Sequence, residues 1–229
     1  MQGGEGVTIS LDSILSKNFS PRPLLVHRLD RDTSGIILVA KTKEAAGKFS
    51  LVLGNSPEGV NASNPNRKGG VIKGYIGICS GRPGSGNQGL GAKGSVKVSS
   101  SGQAFSESIN LSLNIKGKEK ISETFYRVIS CGELSDGLKC SALELELGTG
   151  RMHQIRRHLA LMKYPLFGDD KYGDFALNKK LKKDYGLKNL LLHAAHLKLS
   201  PIPALIPEGL DIISPLPEYF SLFGLPGIF

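Results

Sequence analysis

The sequence predicts an α+β protein with a mixed, mostly antiparallel sheet flanked by helices and loops. Three observations support this prediction. Several short apolar runs bounded by turn residues indicate strands, two segments have helical spacing, and the two kinds of element do not alternate regularly as they would in a parallel α/β protein. The chain has 229 residues, of which 40% are hydrophobic and 21% charged, so it can bury a substantial core.

The predicted elements follow one another along the chain. Residues 36–40 form a short, branched apolar run that predicts a buried strand, residues 43–53 predict a helix, and residues 71–78 and 121–129 predict two more strands. In residues 143–147, leucine and glutamate alternate with a period of two, which is typical of a half-exposed strand.

A sharp turn and a second helix follow that strand. Gly148 and Gly150 predict the turn, and Ile155, Leu159 and Met162 recur at i, i+4 and i+7, which predicts an amphipathic helix. Residues 190–199 predict a further buried segment. The proline-rich tail from residue 201 is expected to be extended and irregular.

Two stretches depart from the composition of the rest of the chain, residues 54–70 and residues 82–104. The second is rich in Gly and Ser and has no apolar period, so we predict a flexible insertion between strands. The 29 glycines of the chain follow no Gly-X-Y period, which excludes a collagen-like protein.

The charge and the cysteines narrow the class of protein. The chain has 29 Lys and Arg against 20 Asp and Glu, a net charge of +9, which indicates an anionic partner: nucleic acid, an anionic membrane face or an acidic protein. Cys79, Cys131 and Cys140 contain no C-x-x-C pair, so they fit neither a disulfide framework nor a zinc site and favour a reducing compartment. No apolar run approaches the ~18 residues of a membrane span, and we expect a soluble, cytoplasmic protein.

Three possible motifs are set aside. Residues 84–89 match G-x-G-x-x-G, but no strand precedes them and no helix follows, so a loop is favoured. The sequence HRLD at residues 27–30 departs from the H-R-D spacing of a kinase and no D-F-G follows. His193 and His196 could share a helical face, but no cysteine or carboxylate cluster accompanies them, and no metal site is predicted.

Residues 27–41, HRLDRDTSGIILVAK, are the first segment that indicates chemistry. Asp30 is flanked by Arg28 and Arg31 and is followed by a Thr-Ser-Gly turn. Nearby cations favour the ionised carboxylate, which is then suited to nucleophilic attack on a sugar or base carbon of bound RNA. A salt-bridged loop aspartate is the alternative that this segment alone leaves open.

Basic residues crowd the start of the second predicted helix. Arg151 lies at its positive end, which is unfavourable by ~0.3–1 kcal/mol, so a nearby carboxylate such as Asp30 would help to explain its presence. Arg156 and Arg157 could meet phosphates, as could Lys73 and Arg31 elsewhere in the chain. Each of these residues is equally compatible with an ordinary solvated charge.

Five ordered motifs resemble those of the RluA family of RNA pseudouridine synthases. The segment 27–41 is similar to the first family signature, and LGTGRMHQIRRHLALMKYPLFGDDKYG at residues 147–173 to the second. Three further segments match the family. They are the K-x-Y strand at residues 73–75, a Ser-Glu-Thr segment at 122–124 and the L-L-H-A strand at 191–194. The residues of these motifs are most similar to those of the RluC branch, whose members modify large-subunit ribosomal RNA. The resemblance runs from about residue 3 to the end, without the Gly-rich insertion.

The resemblance implies a pseudouridine synthase catalytic fold and the isomerisation of uridine to pseudouridine in ribosomal RNA, with 23S rRNA expected. Asp30 would be the nucleophile, attacking ribose C1′ or C6 of the base, and Arg151 would pair with it and orient it. Tyr75 would pack against the uracil and assist proton removal from C5, although a core aromatic is the alternative for this residue. Arg28 would fill the stack that the flipped base leaves.

The RNA-binding residues expected on this basis are Arg28, Arg31, Lys73 and Arg156. We expect RNA as the partner of a monomer, with no membrane, metal, nucleotide or other cofactor. Residues 1–229 are expected to form one catalytic domain that lacks the first family strand and the S4-type domain found upstream in RluC-like members. Met152 stands where the family usually has Thr, and Gly77 where it usually has Ala.

Two other functions remain open at this point. A non-catalytic RNA-binding or ribosome-assembly protein could retain the fold and the basic face. A retaining glycosidase also uses a carboxylate nucleophile, but it needs a second carboxylic acid about 5 Å away. Asp32 is the near neighbour available for that role.

Overall fold

A seven-stranded sheet is the centre of the fold. The computed structural model describes residues 9–54, 70–84, 97–98, 104–105, 107–115 and 117–225. The helices are α1 Leu11–Asn18, α2 Lys43–Gly54, α3 Gln154–Leu161, α4 Phe175–Tyr185 and a 3-10 helix, Glu218–Phe223. The strands are β1 Leu24–Leu25, β2 Ser34–Gly35, β3 Val39–Ala40, β4 Val71–Ser80, β5 Lys97–Val98, β6 Ala104–Phe105, β7 Glu107–Ile115, β8 Lys118–Glu133, β9 Lys139–Leu147, β10 Leu192–Leu199 and β11 Leu210–Ile213.

The strand order places distant parts of the chain side by side. The order is β11-β10-β4-β9-β8-β7, and each of these neighbours pairs antiparallel, while β2 pairs parallel with β10. The prediction of a mixed, mostly antiparallel sheet in an α+β fold is therefore confirmed. Strand β4 lies between β9 and β10, so Tyr75 has Leu145 on one side and Ala194 on the other.

The alternating strand around residue 145 is more buried than its pattern predicts. Leu143 and Leu145 are buried as expected, but Glu146 is only 2% exposed and Glu144 forms an ion pair with Arg127 of β8. The prediction of a half-exposed strand is wrong because β9 lies inside the sheet, with apolar clusters on both faces. A local alternation of residues does not reveal what covers the second face.

The predicted strand at residues 36–40 is also wrong in its extent. Only Val39–Ala40 pairs, with β1, while Ser34–Gly35 pairs with β10. Gly35, the last residue of β2, has a backbone φ of +110°, a conformation that favours glycine, and the chain leaves β10 after it. Between them, the N–H of Leu38 donates to His27 Nε2 at 2.8 Å, so a side chain replaces the sheet partner there.

The helices pack on both faces of the sheet. The predicted helix at 43–53 corresponds to α2, and the helix predicted from Ile155, Leu159 and Met162 corresponds to α3, with these three side chains buried. Their cluster covers one face of the sheet, while Leu181 of α4 and Phe220 of the 3-10 helix belong to the cluster on the other.

The C-terminal region is more regular than predicted. The tail from residue 201 contains strand β11 and the 3-10 helix, because Phe220 and Phe223 are buried against the sheet and fix its path. Most of the predicted insertion at 82–104 lies outside the described residues. Of its described residues, Lys97 and Val98 form a short antiparallel ladder at the end of the insertion, with Phe105 and Ala104 as their partners. Within the described ranges, no helix is long and apolar enough to cross a membrane.

Candidate active site

A cavity of about 430 Å³ opens beside strand β4, between the loop that carries Asp30 and the start of helix α3. Six of the seven residues that the sequence suggested for the site line this cavity. They are Arg28, Asp30, Lys73, Tyr75, Arg151 and Arg156. Residues distant in the sequence thus meet in one place, and the seventh, Arg31, lies outside the cavity lining.

Strand pairing holds the Asp30 loop in position. The N–H of Thr33 donates to the carbonyl of Asp30 at 3.2 Å, and Ser34 and Gly35 then pair with β10. A Cβ atom at Gly35 would clash with the backbone of Ala194, so this close approach requires glycine. Because β10 is also the neighbour of Tyr75, one strand supports both Asp30 and Tyr75.

Arg156 is the arginine that faces Asp30. Its Nη1 lies 3.8 Å from Asp30 Oδ2, while Nε and Nη2 donate to Asp169 at 2.8 and 2.7 Å. Burial opposes ionisation of Asp169, but the hydrogen bonds from Arg156 and from the backbone of Tyr172 and Lys171 outweigh it and lower the pKa of this carboxyl. Arg156 is therefore a fixed cation beside Asp30.

His153 is the second neighbour of Asp30. Its Nε2 lies 3.7 Å from Asp30 Oδ1, and its Nδ1 lies 3.0 Å from the hydroxyl of Tyr172. Burial lowers the pKa of His153 despite the charge of Asp30, and Arg156 adds to this effect, so the imidazole is neutral at neutral pH. His153 is the histidine of the second family signature at residues 147–173, but the sequence gave it no role at the site.

Arg151 does not make the expected pair with Asp30. Within the described part of the chain, no ion pair joins them at 4.0 Å or less, and Arg151 Nε is buried without a hydrogen-bond partner. The physical reason is the path of the backbone: His153 has a φ of 52° and precedes α3, so Arg156, three residues later, comes to the Asp30 side instead. Arg151 still lines the cavity.

Two of the suggested RNA contacts are engaged within the protein. The side chain of Arg156 is 4% exposed and donates to Asp169 and Asp170, so the prediction of a surface phosphate contact is wrong for this residue. Arg31 is 73% exposed, but it pairs with Asp32 and Asp170, each at 3.0 Å. Arg28 is exposed and lines the cavity, and its contact with RNA stays a prediction.

Tyr75 and Lys73 extend along β4 into the cavity. Burial raises the pKa of Tyr75, and the negative charge of Asp30 raises it further, so the phenol is neutral at neutral pH. Lys73 donates to the carbonyl of Leu53 at 3.3 Å. The cavity therefore places an ionisable carboxylate, a neutral phenol and several cations around one space.

Gln154 stabilises the turn before α3, a role that the sequence analysis did not predict. The side chain is 3% exposed, and its Nε2 donates to the carbonyl of Glu123 at 2.8 Å and to Thr124 Oγ1 at 3.0 Å. Its Oε1 accepts from Thr149 Oγ1 at 2.6 Å and from the N–H of Arg151 at 3.1 Å. The glutamine of the H-Q-I-R run could have indicated this role, because a polar side chain that is buried at the start of a helix needs hydrogen-bond partners.

The two histidines considered as a metal pair lie on strand β10, which agrees with the strand implied by the L-L-H-A match and not with a shared helical face. His193 Nδ1 lies 2.9 Å from Ser34 Oγ, and His196 Nε2 lies 2.7 Å from Asp211 Oδ1. Across the ranges that the structure describes, no group of three His, Cys, Asp or Glu side chains could hold a metal ion.

Comparisons with known proteins agree with this geometry. The family model described as RNA pseudouridylate synthase matches residues 7–161. Ribosomal large subunit pseudouridine synthase C of Rickettsia prowazekii (strain Madrid E) is 32% identical over 224 residues, covering 96% of this chain and 63% of the relative. The protein of that name from Escherichia coli (strain K12) is 32% identical over 177 residues, covering 77% of this chain and 48% of the relative.

Solved structures give the same result for the fold. The human RNA pseudouridylate synthase domain containing 1 aligns with a TM-score of 0.58 and 25% identity, over 88% of this chain and 72% of that one. This confirms the predicted pseudouridine synthase fold. The chain spans between about half and two thirds of the length of the curated relatives described above. With two thirds of its residues matched by the family model, the chain belongs to the RNA pseudouridylate synthase family.

Proposed function

We propose that this chain isomerises uridine to pseudouridine in RNA, with large-subunit ribosomal RNA as the substrate, and that Asp30 is the nucleophile. The observation that carries the proposal is the position of Asp30, whose carboxylate lies in the cavity opposite Arg156 and His153, with Tyr75 in the same lining. The family of the chain and the names of its relatives support the reaction and the substrate.

The reaction begins with attack by the Asp30 carboxylate on ribose C1′ or on C6 of the uracil. Arg156 presents a fixed positive charge to this carboxylate, with its Nη1 3.8 Å from Asp30 Oδ2. The bond between N1 and C1′ breaks, the uracil turns within the cavity, and C5 bonds to C1′. C5 then loses its proton and N1 gains one, so the product is an isomer of the substrate and Asp30 is released unchanged.

Tyr75 acts as a neutral phenol in this scheme. Burial and Asp30 both raise its pKa, so its hydroxyl keeps its hydrogen and can donate it in a hydrogen bond. The ring packs against the uracil. It can assist removal of the C5 proton only by passing its own proton to an acceptor at the same time. Asp30, released once C5 has bonded to C1′, is the carboxylate in the cavity that can accept this proton, and it returns to its starting state when the proton passes to N1.

The same lining argues against a retaining glycosidase. Among the described residues that line the cavity, Asp30 is the only carboxylate. Asp32, the candidate for a second carboxylic acid, instead pairs with the exposed guanidinium of Arg31 and lines a different cavity. A retaining glycosidase needs both carboxyl groups at the reacting bond.

Tritium release from ribosomal RNA labelled at uridine C5 tests the proposal. We expect release by the wild type, none by Asp30→Asn, and an RNA affinity of Asp30→Asn within a few-fold of wild type, because one charge among many contributes little to phosphate neutralisation. Asp32→Asn is the matched control, since it removes a nearby carboxylate outside the cavity, and it should retain release.

The outcomes separate the two parts of the proposal. Equal release by Asp30→Asn and wild type would refute the nucleophile assignment while retaining the activity. No release by the wild type would refute the activity for this chain.

A further inference from the structure

Helix α4 presents a stripe of one aromatic and several basic side chains to solvent. Phe175, Lys179 and Lys182 recur at i, i+4 and i+7, so they lie on one side of the helix, with Lys183 beside them. All four are exposed, and Phe175 is 64% exposed. The other side of the helix carries Leu181, which is fully buried.

These lysines have no acidic partner in the part of the chain that the structure describes. Lys180, on the flank of the helix, pairs with Asp136 at 2.6 Å, whereas no ion pair within 4.0 Å includes Lys179, Lys182 or Lys183. Like charges at i, i+3 and i, i+4 destabilise a helix by a few tenths of a kcal/mol per pair. The helix dipole offsets this destabilisation for Lys182 and Lys183, which lie in the last turn. It does not do so for Lys179, which lies outside that turn.

The stripe is rigidly joined to the Asp30 site. The loop before α4 contains Asp169, which holds Arg156, and Tyr172, whose hydroxyl contacts His153. The next residues lead directly into the helix, where Asp174 caps it by accepting from the N–H of Leu177 at 2.9 Å. The position of α4 is thus fixed relative to both neighbours of Asp30.

A second cavity lies between the Asp30 loop and the segment that follows α4. It has a volume of about 370 Å³, and its charged lining residues are Arg31, Asp32, Asp170 and Lys188. Its two carboxylates balance its two cations, so the positive charge of this region is concentrated on the stripe of α4.

The surroundings of the stripe favour RNA over the other anionic partners. An amphipathic helix that binds a membrane needs a free apolar face, but Leu177, Leu181 and Tyr185 of α4 pack into the core. An exposed aromatic ring among lysines is the arrangement that binds single-stranded nucleic acid, because phosphates meet the cations and a base stacks on the ring.

We propose that α4 is a second RNA-contact surface, on which Lys179, Lys182 and Lys183 bind phosphates of the strand flanking the target and Phe175 stacks on one of its bases. The inference rests on the proposed function, since it assigns an additional contact to the same substrate. It places the flanking RNA across the Asp169–Asp174 loop.

The test compares RNA binding and tritium release in two triple variants. The first is Lys179→Gln, Lys182→Gln and Lys183→Gln, and the control is Lys17→Gln, Lys118→Gln and Lys139→Gln, which removes the same charge from three separate elements. Each lost phosphate contact lowers the steepness of log Kd against log salt by about 0.7–0.9. We expect the α4 variant to lose about 2–3 in this slope and the control to lose less than 1.

Tritium release at saturating RNA distinguishes the α4 contact from the reaction itself. We expect the α4 variant to keep its kcat within about twofold while its KM rises. Phe175→Leu should weaken binding by roughly 5- to 100-fold without changing the salt slope, because stacking releases no counterions. Circular dichroism verifies that each variant retains its fold.

Each outcome bears on a specific claim. Equal salt slopes for the α4 variant and the control, with active wild type, would refute the α4 surface alone and leave an acidic protein as the partner of these lysines. A wild type that neither releases tritium nor binds RNA in a salt-dependent manner would refute the proposed function and this inference with it.

Discussion

The carboxylate of Asp169 holds the guanidinium of Arg156 by two hydrogen bonds of 2.7 and 2.8 Å. Asp169 is itself fixed by the N–H groups of Lys171 and Tyr172, at 3.0 and 2.9 Å. A planar guanidinium bound at two nitrogens has a single orientation, and its third nitrogen then faces Asp30. Asp169 therefore determines the direction of the charge that Asp30 meets.

We expect Asp169→Asn to lower kcat by about 100-fold, because the misplaced guanidinium no longer faces Asp30. The free energy of unfolding should fall by about 3 kcal/mol, since a buried cation loses the nearest of its charged partners. Asp170→Asn is the control, because its side chain is 60% exposed. Single-turnover tritium release and urea unfolding measure the two effects. Equal losses of kcat in both variants would contradict a specific role for Asp169.

Lysine substitutions distinguish the two arginines considered as partners of Asp30. Lysine keeps the charge but loses the planar fork. We expect Arg156→Lys to lower kcat by at least 10-fold, while Arg151→Lys has the smaller effect on kcat, because Arg151 forms no ion pair with Asp30. Rapid-quench measurement of release from saturating RNA compares them. A larger loss in Arg151→Lys would restore the assignment expected from the family resemblance.

The protein should lose stability as the pH falls from 6.5 towards 4. Burial lowers the pKa of His158, and that of His27, from 6.5 to about 4. The unfolded chain therefore binds protons at pH values where the folded chain does not, and acid favours unfolding throughout this window. The loss should be about 2–3 kcal/mol for the fully buried His158 and smaller for the partly exposed His27.

Urea unfolding at several pH values between 6.5 and 4 measures this dependence. His158→Gln is the variant to compare, because glutamine can still donate to Ser122 Oγ, which lies 2.8 Å from His158 Nε2. Its curve of unfolding free energy against pH should be flatter than that of the wild type. Parallel curves would show that His158 protonates equally in both states.

Tyr75 should remain a phenol at a pH where ordinary tyrosines ionise. Burial and Asp30 raise its pKa above the usual value of 10.0. At pH 10.0, wild type and Tyr75→Phe should therefore have the same tyrosinate absorbance per molecule. In Asp30→Asn the pKa of Tyr75 should fall towards its usual value, because one of the two causes is removed. A lower absorbance in Tyr75→Phe at this pH would show that Tyr75 ionises normally.

The elements that could be predicted from the sequence are those with a local cause. The spacing of Ile155, Leu159 and Met162 is a property of one helix, and it located α3 correctly. The prediction of a strand at 36–40 was wrong, because the path of these residues depends on β10, far along the chain, and on the backbone of Gly35. Helix α4 was not predicted because its exposed lysines obscure the apolar pattern around Leu181.

The site was predictable as a set of residues but not as a set of partners. The motifs identified Asp30, Tyr75 and three arginines that line one cavity, namely Arg28, Arg151 and Arg156. The choice of Arg156 over Arg151 depends on the left-handed backbone at His153 and on the orientation imposed by Asp169. Both are three-dimensional relationships that residue types and spacing do not specify.

The pairing of the Asp30 loop with β10 also sets an order of events during synthesis. Ser34 and its partner His193 are 159 residues apart. At about 5–20 residues per second, the ribosome needs roughly 8–32 s to bridge that distance. Until β10 has emerged, the strand that positions the loop does not exist, so the nascent chain holds the Asp30 carboxylate without the cavity around it. The proposed site can form only after residues 192–199 have left the ribosome.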